Sequence, residues 1–236
     1  MSKENILSRI RKSKKPIPDG LDRSQIVKER LFKHPKNVVP KRSRGGKGHL
    51  INLFVKEAER VQSEISFVKS FCHVPMVVSE ILKSKNLPHK VKYAPSLRSL
   101  PWETTLLKAR EGAASDIDKV TVTRAYAGVA ETGTLVLLSG EESPTSLSLL
   151  PEINIVLLDC DRIFAAYEDI WDSMRQERNV SLSTPTFLPR AVNFITGPSR
   201  TADIEQTLML GVHGPQSLHI LVIRNDPSIE VSKSPS

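Results

Sequence analysis

Cysteine is nearly absent from this chain. The two residues, Cys72 and Cys160, are far apart and sit in no CxxC or Cys/His ligand spacing. That excludes a self-contained iron–sulfur or zinc site and favours a reducing compartment over a disulfide scaffold. Long apolar runs are missing too: no stretch approaches the ~20 residues a membrane helix needs. The basic start, with Lys3, Arg9, Arg11 and Lys12, has no apolar run behind it, so no secretory signal is expected. There is no Walker loop, no GxGxxG and no internal repeat. A soluble, cytoplasmic protein without membrane insertion is the expectation.

The formal charge of +8 is unevenly placed. Residues 1–50 hold fifteen Lys/Arg and four Asp/Glu, a net of +11, whereas the rest hold nineteen against twenty-two, a net of −3. The body is mildly acidic and has no nucleic-acid footprint. Residues 1–46 carry Pro16, Pro18, Pro35, Pro40 and the basic run from Lys41 to Lys47, which no aromatic residue interrupts. Such a segment buries too little apolar surface to offset its ordering entropy, so a mobile basic arm is expected, with a short helix allowed over 24–32. It either docks an acidic partner or serves as a solubilising tail; nucleic acid ranks below both, because stacking residues are lacking.

From Leu50 the pattern turns periodic. Leu53, Phe54, Ala58, Val61, Ile65 and Val68 recur at intervals of three and four, which reads as an amphipathic helix of about five turns. Pro75 opens a second helix over 76–85. Strands are read at 91–93, 105–109, 126–130 and 135–138; for 119–124 periodicity does not decide between strand and helical turn. Residues 145–150 read as a short helix, and the unbroken apolar run 153–159 as a strand covered on both faces. Asp161 can cap a following helix to about Gln176. Residues 179–189 form a Ser/Thr/Pro loop, and strands are read at 191–195 and 218–223. Strands alternating with helices give an α/β class, and a hairpin around 131–134 adds antiparallel character.

The densest group of Gly, Pro, hydroxyl and charged residues lies at 196–215, after one strand and before another. Such loops build sites at the carboxyl edge of an α/β sheet. Gly197 permits close approach, Ser199 and Thr201 offer hydroxyls, and Arg200 is a bidentate donor, together an anion cradle beside Pro198. Asp203 either caps a helix over 204–210, closed by Gly211, or belongs to the site. His213, next to Gly214, is a loop histidine that is structural or titrates in the site. Glu131, in Glu131-Thr132-Gly133-Thr134, is a turn residue or a catalytic acid, base or nucleophile. Asp159 and Asp161 pair at a strand end, which a helix cap explains without a metal; none is expected.

These residues bear a resemblance. The run from Ala130 to Leu137, then Leu149-Leu150-Pro151, then Leu188-Pro189-Arg190-Ala191, then 196–215, resemble in order and spacing the signature of the LUD-domain family of lactate-utilisation protein C. The likeness covers roughly residues 30–224. It implies a three-layer α/β/α domain with a mostly parallel sheet, similar to the sugar-phosphate isomerase and CoA-transferase fold. The expected division is a basic arm at 1–46, a LUD domain at 47–225 and a disordered tail at 226–236. The likeness further implies a component of a system oxidising L-lactate to pyruvate whose partner subunits carry iron–sulfur clusters, with no redox cofactor in this chain. The ligand would be a small carboxylate or a phosphate-bearing anion. Carried over as site candidates are Glu131, Thr132, Gly133, Thr134, Gly197, Pro198, Ser199, Arg200, Thr201, Asp203, Glu205, Gly211, His213 and Gly214. The competing readings are a stand-alone transferase or isomerase acting on a CoA ester or sugar phosphate, with Glu131 as nucleophile or base, and a non-catalytic assembly module.

Overall fold

The computed structural model describes residues 3–13, 22–36, 39–177, 188–202, 208–210 and 213–224. The chain divides into two compact units, residues 1–38 and 39–236. In the first, α1 (Lys3–Ser13) and α2 (Arg23–Lys33) bury none of their residues. Glu4 in the first turn of α1 and Arg11 and Lys12 in its last complement the helix dipole. The α2 helix fits the span expected at 24–32; Asp22 caps it by accepting the Ser24 N–H at 3.0 Å.

The second unit is organised by a six-stranded, wholly parallel sheet. Its strands are β1 (Glu64–Val68), β2 (Lys90–Tyr93), β3 (Lys108–Glu111), β4 (Val120–Arg124), β7 (Ile153–Asp159) and β12 (Ser217–Ile223), in the order β1-β12-β7-β4-β2-β3. A four-stranded sheet, β8-β5-β6-β9, comprises β5 (Ala127–Val129), β6 (Thr134–Leu138), β8 (Ile163–Phe164) and β9 (Val192–Ile195). β5 and β6 are the antiparallel hairpin that the 131–134 turn implies. Helices α3 (Lys47–Arg60), α4 (Val74–Ser84), α5 (Ser146–Leu149) and α6 (Tyr167–Glu177) complete the domain.

Alternation along β7 and β12 builds two cores from two strands. Ile155, Leu157, Leu221 and Ile223 pack with Val74, Val78 and Leu82 of α4. Val156, Leu158, Ile220 and Val222 pack on the other side with Ile51, Phe54 and Ala58 of α3 and with Leu135 and Leu137 of β6. Val136, between those two leucines, joins Ile170 and Met174 of α6 in a third cluster. The order of layers is therefore α4, parallel sheet, then α3 beside the smaller sheet, with α6 outside it. The α/β class with helices on both faces is as expected, and the smaller sheet is an addition to it.

Three local expectations are corrected. The helix read over 53–68 stops at Arg60, Gln62 turns the backbone at φ 67°, and residues from Glu64 form β1. Ile65 and Val68, one stripe on a helix, pack on opposite sides of the sheet instead. The helix read from Asp161 begins only at Tyr167, because Cys160–Arg162 is a 3-10 turn and Ile163–Phe164 pairs with β5. The cap there is Asp159, whose carboxylate accepts the Asp161 N–H at 3.0 Å. Finally, part of the helix read over 204–210 is strand: β10 (Arg200–Ala202) and β11 (Leu208–Leu210) pair antiparallel. The strand read at 105–109 lies slightly later, at β3. The loop read at 179–189 is outside the described residues up to Thr186 and Phe187, as is the 226–236 tail.

Candidate functional site

Two glycine turns close on the end of α3. Gly133 has φ 63°, and a Cβ there would lie 2.3 Å from the Ala58 nitrogen and 2.6 Å from the Glu57 carbonyl carbon. Gly197 has φ 78°, and its Cβ would lie 2.4 Å from the Val61 oxygen. Only glycine combines that backbone with so close an approach. A helix leaves its last carbonyls without internal partners and its C-terminus partly negative. Here the Arg200 guanidinium donates to the Val61 oxygen at 2.6 Å. Beside it Glu57, 5% exposed, receives Arg60 at 2.8 Å and has Arg42 at 3.7 Å. Arg42 also donates to the Glu131 backbone oxygen at 3.0 Å, fixing the turn.

A hydroxyl cluster links the two turns. Thr134, fully buried, lies 2.7 Å from Thr132, 2.7 Å from Thr196 and 3.0 Å from the Tyr167 hydroxyl, which is 2.9 Å from Thr132. Each hydroxyl can rotate to donate to one neighbour while accepting from others. Tyr167 and Thr196 were not anticipated as partners of this turn; a tyrosine opening a helix gives no such signal without the fold.

The loops at 197–199 and 213–215 lie side by side. The Ser199 N–H donates to the Pro215 oxygen at 2.8 Å, and the Gln216 and Ser217 N–H groups both donate to the Glu152 oxygen. Between them is a cavity of about 180 Å3 lined by Ser148, Asn154, Phe194, Gly197, Pro198, Ser199, His213 and Gly214. Asn154 is fully buried. Its amide oxygen receives Thr123 at 3.2 Å and lies 3.3 Å from the Thr121 hydroxyl, whose proton goes to the Leu147 oxygen at 2.6 Å. The amide nitrogen has no partner among the described residues. Whichever way the amide is turned, one end lacks a partner among the described residues, at a desolvation cost of about 1–3 kcal/mol. Asn154, buried in an apolar strand, was missed from the sequence; an asparagine inside such a run was the available signal.

This cavity adjoins the amino ends of β7 and β12, which overturns the expectation of a site at the carboxyl edge. The reason is that β9, which feeds the loop, belongs to the smaller sheet and runs antiparallel to β6. The carboxyl edge has a separate cavity of about 380 Å3, lined by Arg124, Tyr126, Asp159, Arg162 and Glu177. Its cations are engaged: Arg162 pairs with Glu177 at 2.5 Å and lies over Tyr126, and Arg124 lies over Phe71. Burial works against the Arg162 charge, but its bonds to Glu177 and Tyr126 raise its pKa above the ordinary value.

The structure thus gathers Gly197, Pro198, Ser199, His213 and Gly214 at one cavity. Thr134, with Thr132 bonded to it, is tied to Thr196, the residue before Gly197, and lies outside the lining with Thr132 and Gly133. Glu131 and Arg200 are outside its lining. Thr201 is placed as backbone in β10, and Asp203, Glu205 and Gly211 lie outside the described residues. Asp159, Cys160 and Asp161 are close enough to share a cation, but they coincide with the strand end and its cap. Among the described residues no helix is long and apolar enough to cross a membrane.

Sequence comparison places these elements among known proteins. The chain is 29% identical over 170 residues to the uncharacterised protein YkgG of Escherichia coli, covering 72% of this chain and 71% of that one. It is 41% identical over 102 residues to the uncharacterised protein NMB1437 of Neisseria meningitidis (43% and 41%). It is 35% identical over 130 residues to lactate utilization protein C of Bacillus subtilis (54% and 52%). The chain spans about half the length of these last two relatives. A DUF162 family protein from Deinococcus radiodurans shares the fold, with a TM-score of 0.54 and 17% identity over 77% of this chain and 100% of that one. The LUD domain profile matches residues 115–223. That span runs from just before β4 through β12 and includes both glycine turns and the whole cavity lining, and over it this chain is similar to the LUD domain.

Proposed function

We propose that this chain is a lactate-utilisation component that binds a small carboxylate such as L-lactate or pyruvate and works with iron–sulfur partner proteins. The observation that carries the ligand is the cavity: about 180 Å3, with Ser199 and His213 among the residues of its lining. Its volume suits a three-carbon acid and falls below the ~300 Å3 at which pockets for larger ligands such as CoA esters begin. The similarity to lactate utilization protein C of Bacillus subtilis supports the role.

In this reading Ser199 donates to the carboxylate, and His213 takes the hydroxyl proton of lactate. The remaining hydrogen leaves as two electrons and a proton to an acceptor in the partners, giving pyruvate. Arg200 acts by position, holding its loop on the end of α3 through Val61. The hydroxyl cluster keeps Thr196, and with it the cavity wall, in register with the β5–β6 turn.

The test is L-lactate-dependent reduction of a tetrazolium dye by the purified chain, alone and with the iron–sulfur proteins of its own host. Turnover that requires both is expected. Equal turnover by the partners without this chain, or turnover of a CoA ester or sugar phosphate by the chain alone, would overturn the reading.

A further inference from the structure

Away from that cavity, the β2–β3 edge of the main sheet sorts its residues by face. Val91 is buried in the α4-side core, and Tyr93 and Ala109 pack against it. Lys90, Lys92, Lys108 and Arg110 alternate with them and so stand on the other face. The parallel register sets Lys90 beside Lys108 and Lys92 beside Arg110. Like charges directly opposed on neighbouring strands destabilise a sheet. Two successive such pairs concentrate positive charge on this face.

The four cations line a cavity of about 390 Å3, within the usual range for small-molecule sites. Pro88 and Ile117 add apolar surface, Ile117 being 82% exposed. Lys119 also lines it but pairs with Glu152 at 3.1 Å. Among the described residues no ion pair engages Lys90, Lys92, Lys108 or Arg110. The lining carboxylate is Asp118, which accepts the N–H and hydroxyl of Ser115 at 2.9 and 2.8 Å. Burial opposes its ionisation, but those bonds and the charges of Lys92 and Arg110 hold its carboxyl below the usual pKa. One carboxylate against these four cations leaves a surplus that a monocarboxylate ligand would not neutralise.

We propose that this cavity binds a nucleotide-sized ligand through a pyrophosphate group. Lys90, Lys92, Lys108 and Arg110 take the phosphate oxygens, as ammonium and guanidinium groups do, and Pro88 and Ile117 take the body of the ligand. A nucleoside diphosphate has the needed charge and size. An extended nucleic acid fits less well, since the surface is a concavity without a stacking residue in its lining. The proposal is independent of the carboxylate site, with which it shares no lining residue.

The test is calorimetric titration of the full chain with ADP, inorganic pyrophosphate, adenosine and a single-stranded oligonucleotide. It is repeated on Lys92→Gln/Arg110→Gln, and on Lys69→Gln/Lys83→Gln as a charge-matched control outside the cavity. ADP and pyrophosphate should bind one to one and adenosine should not. The cavity variant should weaken both about tenfold or more, while the control stays within about twofold of the parent. Without ligand, the cavity variant should melt no lower than the parent, because opposed charges have been removed. No one-to-one binding of ADP or pyrophosphate would overturn the proposal, as would equal weakening in the control. Binding of the oligonucleotide tighter than ADP, lost in the cavity variant, would make this a nucleic-acid surface instead.

Discussion

Thr134 and Thr196 share a 2.7 Å hydrogen bond across 62 residues of sequence, joining the first residue of β6 to the residue after β9. Through it the glycine turn at 131–134 and the loop at 196–199 behave as one wall, both resting on the end of α3. Thr134→Val keeps the shape and removes the hydroxyl, leaving Thr132, Tyr167 and Thr196 short of a partner. The expected loss is about 1–3 kcal/mol in urea denaturation. Thr134→Ser should lose clearly less. A loss in Thr134→Val no larger than that in Thr134→Ser would contradict a contribution from the network.

Gly133→Ala meets both a left-handed backbone and the backbone of α3 within 2.6 Å. The strain alone is about 1–2 kcal/mol, and displacing a helix adds to it, so a loss above about 2 kcal/mol is expected. Gly140→Ala has open space and no positive φ, and should change stability by less than about 0.5 kcal/mol. Comparable midpoints for the two variants would refute the close packing of the turn on α3.

Much of this architecture could be read from the chain before folding. β7 and β12 are apolar runs broken inside only by Asn154 and His219, because both their faces are covered, and α4 carries its proline at the start, where it is tolerated. Two of the errors share one cause. Ile65 and Val68 satisfy a helical spacing as readily as they place one residue on each side of a strand, and Ile163 and Phe164 do the same before α6. Only pairing with β12 and β5 decides between the readings. The site was legible as a cluster of loop residues. Asn154 was visible only as a polar residue inside an apolar run; its burial and its unpartnered amide nitrogen are encoded by no spacing.

His219 on β12 is buried, and burial pushes its imidazole below the ordinary pKa, with Glu64 opposing the shift and Lys85 adding to it. Its ring nitrogens lie 2.9 Å from the Ser66 hydroxyl and 3.6 Å from Glu64. For Glu64, desolvation opposes ionisation, yet Lys85 at 2.6 Å, Ser217 and His219 hold its carboxyl below the usual value. In both cases the unfolded chain binds more protons, so stability rises with pH. The His219 contribution is complete above about pH 6.5 and is lost as pH falls below it; that of Glu64 is lost at lower pH, from about 4.5 downward. Urea titrations at pH 7.5 and 5.5 should show the fall, at most about 1.4 kcal/mol per pH unit from one proton. His219→Gln should remove that part of the slope; an unchanged slope would contradict the assignment.

The carboxylate site is tested most directly by calorimetric titration of the purified chain with L-lactate, pyruvate and phosphate, set beside Ser199→Ala/His213→Ala. Both side chains lie on loops, so the variant should keep the parent's melting temperature without ligand. The account expects saturable one-to-one binding of L-lactate or pyruvate by the parent, weakened about tenfold or more in the variant. Binding of neither acid, or binding unchanged by the two substitutions, would contradict it.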